Sequence, residues 1–175
     1  DVNYDGIIDK NDIVYLGNYN PTLSGGGGFN LKYKNLGMTV FMHYRLGQKV
    51  INQARMDAES MYGSDNQSKA VLRRWRNEGD DTDIPRALWG YGYNYLGSDR
   101  FVEDCSFLRL NYAQLSYNFK PEMLKSLGIR SLRADLTLNN VFCITKYSGV
   151  DPEGPQAGFG AARDSNQTPR ARSFT

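Results

Sequence analysis

The feature that most constrains this chain is a two-residue alternation of apolar and polar side chains, carried by long segments whose connections are short and long by turns. Met38, Val40, Met42, Tyr44 and Leu46 share one face of their segment, and Thr39, Phe41, His43 and Arg45 share the other. Phe29, Leu31 and Tyr33 alternate with Asn30, Lys32 and Lys34, and Leu132, Ala134, Leu136 and Leu138 with Arg133, Asp135, Thr137 and Asn139. This is the period of strands wet on one side only. Strands are expected over 22–34, 38–47, 105–119 and 131–143, with the start of a last one near 171–175. The connections 35–37 and 120–130 are short, while 49–104 and 145–171 are long, in strict alternation. A soluble sandwich would need a turn every 8–12 residues or so. Tight turns at one end and long loops at the other are the plan of an antiparallel transmembrane β-barrel, with the long loops outside.

Composition agrees with that plan. Twelve tyrosines and 18 glycines suit turn-punctuated strands with aromatic faces. Mean hydropathy is −0.58, and no apolar run reaches the ~18 residues of a membrane helix. Barrel strands are apolar on one face only, so they keep the average low. The balance of 21 Lys and Arg against 19 Asp and Glu, scattered along the chain, argues against a nucleic-acid partner. The chain begins Asp1-Val2-Asn3, without the basic and apolar regions of a signal peptide.

The segment from Phe107 changes phase. Leu108, Leu110 and Tyr112 share one face, whereas Ala113, Leu115, Tyr117 and Phe119 share the other. A β-bulge near Asn111–Tyr112 would bring the apolar positions back together. Pro121 to Gly128 reads as a short helical turn ended by glycine, and Gln67 to Asn77 as helical after a Ser68 cap. Gly25 to Gly28 lack the lysine and following helix of a phosphate loop, so they mark bending or a close approach by another backbone.

Residues 1–21 form an acidic loop. Asp1, Asn3, Asp5, Asp9 and Asp12 fall at positions 1, 3, 5, 9 and 12 of the EF-hand pattern, with Gly6 at the sharp turn. Ile7 offers its carbonyl. A structural Ca2+ is the reading taken; the alternative is an Asx-rich turn satisfying its own backbone. His43 is the only histidine, with no base or nucleophile at a telling spacing, and reads as a lumen-lining polar group. Trp89, Tyr91 and Tyr93 alternate in the long connection, where they either stack on a substrate's sugar rings or peptide side chains or pack the loop itself. Pairing about the 120–130 turn brings Cys105 and Cys143 near one another at the outer rim, either as a disulfide or as two separate thiols.

Phe107-Leu-Arg-Leu110, Leu115-Ser-Tyr117, Leu127-Gly-Ile129 and the run Asn140-x-Phe-x-Ile-Thr-x-Tyr-Ser-Gly-x-Asp-Pro-Glu153 resemble the carboxyl end of SusC/RagA-type TonB-dependent transporters. The resemblance implies that residues 22–175 are the last strands of a plugged barrel of about 22 strands, in chains several times longer than this one. It further implies an outer-membrane importer of oligosaccharides or oligopeptides in a Gram-negative, Bacteroidota-type bacterium. A SusD-like surface lipoprotein would close the mouth, and TonB would act through a plug outside these residues. No enzymatic chemistry follows, because the acidic residues are loop-borne and form no nucleophile–base constellation. The contrasting reading is a secreted, soluble β-rich binding module with a dockerin-like calcium loop.

Overall fold

The computed structural model describes residues 2–7, 9–90, 98–154 and 163–175. Four long strands dominate it: β1 (Leu23–Tyr33), β2 (Leu36–Leu46), β5 (Phe107–Asn118) and β6 (Arg133–Thr145). Between them lie the short strands β3 (Lys49–Ile51) and β4 (Val102–Asp104), and β7 (Ser173–Phe174) follows. The main sheet runs β1-β2-β5-β6-β7, every neighbour antiparallel, while β3 and β4 pair as a separate ribbon above it. Strands of 11 to 13 residues are long enough to cross a bilayer at a tilt. Among the described residues no helix is long and apolar enough to do so.

Register decides the two faces. Phe29 pairs with Val40, Val40 with Ala113 and Ala113 with Leu138, and below them Leu31, Met38, Leu115 and Leu136 stand in one row. Above them Met42, Leu110 and Phe142 stand in another. The opposite face carries Asn30, Thr39, Gln114 and Thr137, then His43, Arg109 and Cys143. Leu31, Leu115 and Leu136 are exposed, and Met38, Val40 and Met42 are covered only in part. No second layer dries this apolar face among the described residues, as a soluble sandwich would require. The expected split between an apolar side and a polar side is what the sheet shows.

The bulge falls where the phase change places it. Phe41 pairs with Tyr112 and Met42 with Leu110, leaving Asn111 without a partner on β2. On the other side, Leu110 faces Phe142 and Tyr112 faces Asn139, so Asn111 stands against both Asn140 and Val141. Each strand is thus one residue longer than the last across this level, and Asn140 takes φ 52° to absorb the excess. Leu108 and Leu110 thereby share a face with Ala113, Leu115 and Tyr117.

The glycine tract serves close approach. A Cβ on Gly28 would lie 2.4 Å from the Val40 carbonyl oxygen, and one on Gly26 would lie 3.1 Å from the Phe41 ring. That ring stacks with Tyr112 at 6.1 Å between centroids, on the wet face. At the tight-turn end, α2 (Pro121–Leu124) runs into a 3-10 turn closed by Gly128 at φ 68°. The helix expected over Gln67–Asn77 shortens to a 3-10 turn, Lys69–Arg73, with the Ser68 side chain accepting from Ala70 N.

Most buried side chains gather at the long-loop end of the sheet and in the loops beyond it, while Leu124 is buried at the tight-turn end. Val50, Cys105 and Tyr147 form one cluster, and Met61, Val71 and Ile84 another. The helix α1 (Gln53–Glu59) is tied into this cap. Glu59 pairs with Arg55 at 3.0 Å and also with Arg100, while Arg55 reaches Glu103 at 3.2 Å.

Of the two alternatives for the cysteines, the structure has separate thiols: Cys105 and Cys143 are both free. Phe107 pairs with Thr145 and Arg109 with Cys143, so the residue facing Cys143 is an arginine. Cys105 lies outside β5, buried, and its Sγ–H donates to the Pro152 carbonyl at 3.1 Å. Next to the turn Asn118 already pairs with Arg133, and the extra residue at Asn140–Val141 adds one further position, which together carry Cys143 to Arg109.

Candidate functional site at the outer mouth

On the wet face, where the strands meet the long loops, β2 and β5 present an ionic cluster. His43 projects from β2, Arg109 from β5 beside it, and the bulge residue Asn111 stands one level below. The Asp151-Pro152-Glu153 turn folds down onto them. Arg109 Nη2 donates to Asp151 Oδ1 at 2.5 Å, and Arg109 Nε lies 2.5 Å from Glu153 Oε2. The second contact is off the N–H axis, so it is an ion pair without a hydrogen bond. Glu153 Oε1 is 2.8 Å from His43 Nε2 and 3.4 Å from Arg170 Nη2. His43 Nδ1 faces Asn111 Oδ1.

The turn is fixed by its own backbone as well. Asp151 Oδ1 accepts from Glu153 N at 2.9 Å, and its Oδ2 accepts from Arg170 N at 3.2 Å. Phe107 lies fully buried beneath, with the His43 ring edge-on at 5.2 Å and the Arg45 and Arg109 guanidinium groups about its face at 6.0 and 5.9 Å. Two carboxylates meet two guanidinium groups, so the cluster is neutral apart from the histidine. Such buried charges are tolerable only when mutually paired.

A second polar knot joins the cap to the same loop. Glu103 accepts from Ser148 N at 2.9 Å, Ser148 Oγ at 2.8 Å and Asn52 Nδ2 at 3.2 Å, besides pairing with Arg55. Burial alone would raise its carboxyl pKa, but the Ser148, Arg55 and Asn52 hydrogen bonds outweigh burial and hold it below the usual range. Tyr147 Oη donates to Asp164 Oδ2 at 2.5 Å, and burial followed by the neighbouring carboxylate pushes that phenol well above its ordinary value.

The residues singled out from the sequence are not brought together here. Asp1, Tyr91 and Tyr93 lie outside the described residues, and Trp89 is exposed. In the acidic loop Gly6 takes φ 83°, as the sharp turn of a calcium loop requires. Asn3, Asp5 and Asp9 each accept from a backbone amide two residues on, and Asp12 accepts from Val2 N and Asp9 N. Those amides of Asp9 and Val2 hold the Asp12 carboxyl below its usual range. Among the described residues, no three His, Cys, Asp or Glu side chains converge as a metal site. A cation there would depend on Asp1, Asn3 and the Ile7 carbonyl as well.

Sequence reasoning marked His43 as wet and quoted Asp151-Pro-Glu153, but it missed their partnership with Arg109. The signal was an arginine set among apolar residues in Phe107-Leu-Arg-Leu110, which needs a counter-charge wherever that face is enclosed.

A single antiparallel sheet, apolar and uncovered on one side and polar on the other, tight-turned at one end and looped at the other, is a stretch of β-barrel wall. Comparison with known proteins gives the family. No family model matches the chain. It is 31% identical over 158 residues to TonB-dependent receptor P26 of Formosa agariphila, covering 90% of this chain and 16% of that protein. It is 28% identical over 184 residues to TonB-dependent receptor SusC of Bacteroides thetaiotaomicron, covering 99% of this chain and 16% of the relative. In structure it matches the RagAB peptide importer in its open-open state, with a TM-score of 0.69 at 25% identity over 89% of this chain and 16% of that one. The closed-closed state matches with a TM-score of 0.70 at 26% identity, over 89% of this chain and 17% of the other. The chain belongs to the SusC/RagA type of TonB-dependent receptors, and it spans about a sixth of the length of the relatives it matches.

Proposed function

We propose that this chain is part of the wall of an outer-membrane nutrient importer that takes up oligopeptides or oligosaccharides together with a SusD-like surface lipoprotein, driven by TonB through a plug outside these residues. The observation that carries the reading is the uncovered apolar face set back to back with a polar face bearing an ordered ionic cluster. Hydrocarbon satisfies the first and a watery lumen the second, and a soluble binding module would satisfy neither. The likeness to a peptide importer favours a peptide cargo. The test is to delete the gene encoding the full chain and to follow growth on oligopeptides or on single oligosaccharides as sole nutrient. Loss of growth on one class, restored by the intact gene, is the expected result. Normal growth on every class, or recovery of the protein in the secreted fraction, overturns the reading.

We propose further that the 1–21 loop takes a structural Ca2+ through Asp1, Asn3, Asp5, Ile7, Asp9 and Asp12. The positive φ of Gly6, which the sharp turn of such a loop needs, supports it. Hydrogen exchange of this loop in the full-length protein should slow when calcium replaces a chelator. Identical exchange in both conditions rules the ion out.

A further inference from the structure

Arg109 of the sheet and Arg170 of the loop neutralise Asp151 and Glu153, which leaves His43 as a fifth, titratable member whose role the barrel reading does not explain. Its two ring nitrogens both face oxygens: Nε2 the Glu153 carboxylate at 2.8 Å, and Nδ1 the Asn111 amide oxygen. An oxygen can only accept here, so both nitrogens must carry hydrogen, and a neutral imidazole has only one N–H. With the Asn111 oxygen turned to Nδ1, this pattern is one that an imidazolium meets. A neutral ring would keep both contacts only if the Asn111 amide turned over to present its NH2.

We propose that His43 and Glu153 form a pH-sensitive clasp that holds the Asp151-Pro152-Glu153 turn against the lumen wall when His43 is protonated and loosens it when the proton leaves. Histidine side chains ordinarily change charge between about pH 5 and 8, within the range an outer membrane meets. The sign follows from the partners. A cation bound to a carboxylate stabilises the closed turn at low pH, and that contribution is lost as pH rises.

The groups facing His43 favour a single switchable charge. β1 places Gly26 opposite it and contributes no charge, and Phe107 covers one ring face. Arg45 extends from β2 itself and Arg109 from β5, with Cys143 of β6 next in the row. Asp151, Glu153 and Arg170 come from the loop above. Loss of the proton removes one of three cationic contacts to Glu153, so the turn weakens without coming free of Arg109 and Arg170. The clasp depends on β2 and β5 facing an aqueous lumen, but not on what the pore carries.

The turn has a reporter beneath it. Cys105 is wholly buried and donates its thiol hydrogen to the Pro152 carbonyl, so lifting the turn uncovers the sulfur. In the full-length transporter carrying Cys143→Ser, maleimide labelling of Cys105 would be followed by peptide mass spectrometry from pH 5.5 to 8. The rate would be divided at each pH by that of the same protein with His43→Asn, which cancels the intrinsic rise of thiol reactivity. The expected result is protection of about tenfold at the acid end, the size of one charge-assisted hydrogen bond, fading towards none at the alkaline end. A ratio that does not vary with pH overturns the clasp and assigns the contact to a neutral ring with a turned Asn111. Should His43→Asn fail to insert, Asn111→Asp supplies the second reading: a carboxylate at Nδ1 moves the loss of protection to higher pH, and an unmoved profile overturns the proposal. Growth on the cargo, measured separately, reports transport and not the clasp.

Discussion

Arg109 and Asp151, 42 positions apart in the chain, meet at 2.5 Å, and both are buried. One is set by a strand and the other by a loop, so their contact is where the barrel wall and its outer loop become one structure. Replacing Arg109 by Met leaves Asp151 and Glu153 without their principal counter-charge in an enclosed site. The expected cost to the outer end is about 3–5 kcal/mol. Hydrogen exchange should show Ser148–Gly154 losing protection while β1 keeps its own, and equal protection would show the pair to be dispensable.

Opposite faces of β6 should answer differently to charge. Leu138 lies near the middle of the strand on the apolar face, and Thr137 beside it on the wet face. Leu138→Arg should cost about 2–4 kcal/mol of membrane stability, whereas Thr137→Arg should cost well under half of that. Urea titration of the full-length protein refolded into vesicles compares the two. Equal losses would contradict the assignment of faces.

Glu103 supplies a pH dependence of its own. Its folded carboxyl titrates below the unfolded value of about 4.3, so its contribution is complete above that pH and is lost as pH falls through the lower, folded value. Local protection of β3, β4 and Ser148 should therefore decline on acidification below about pH 4, and Glu103→Gln should flatten the decline. An unchanged profile in the variant would assign the acid sensitivity elsewhere.

The two thiols should differ sharply in reactivity. Cys105 is buried, and that burial, followed by Asp164 and other nearby carboxylates, pushes its thiol up to about 12. Cys143 is partly open on the wet face beside Arg109. Native iodoacetamide treatment at neutral pH should alkylate Cys143 well before Cys105. A non-reducing peptide map that recovers a 105–143 bridge would contradict the register.

The wall was legible because its information is local and periodic. Alternation in Met38–Leu46 and Leu132–Leu138 defined each strand and its faces, and the broken phase at Asn111–Tyr112 marked the bulge. Cys105 and Cys143 do not meet because the turn sets the register, with Asn118 already paired to Arg133, and the residue added at Asn140–Val141 shifts it by one more while leaving no mark in the alternation of β6. The cluster at the mouth was hidden for a related reason.

The sequence by itself determined that this chain forms two-faced strands with tight turns at one end and long loops at the other, since side-chain period and turn chemistry act between neighbours. Only the tertiary structure decided that Arg109, His43, Asp151 and Glu153 share one enclosed site. Loop closure over dozens of residues carries no periodic trace, and charges find their partners through space and not along the chain.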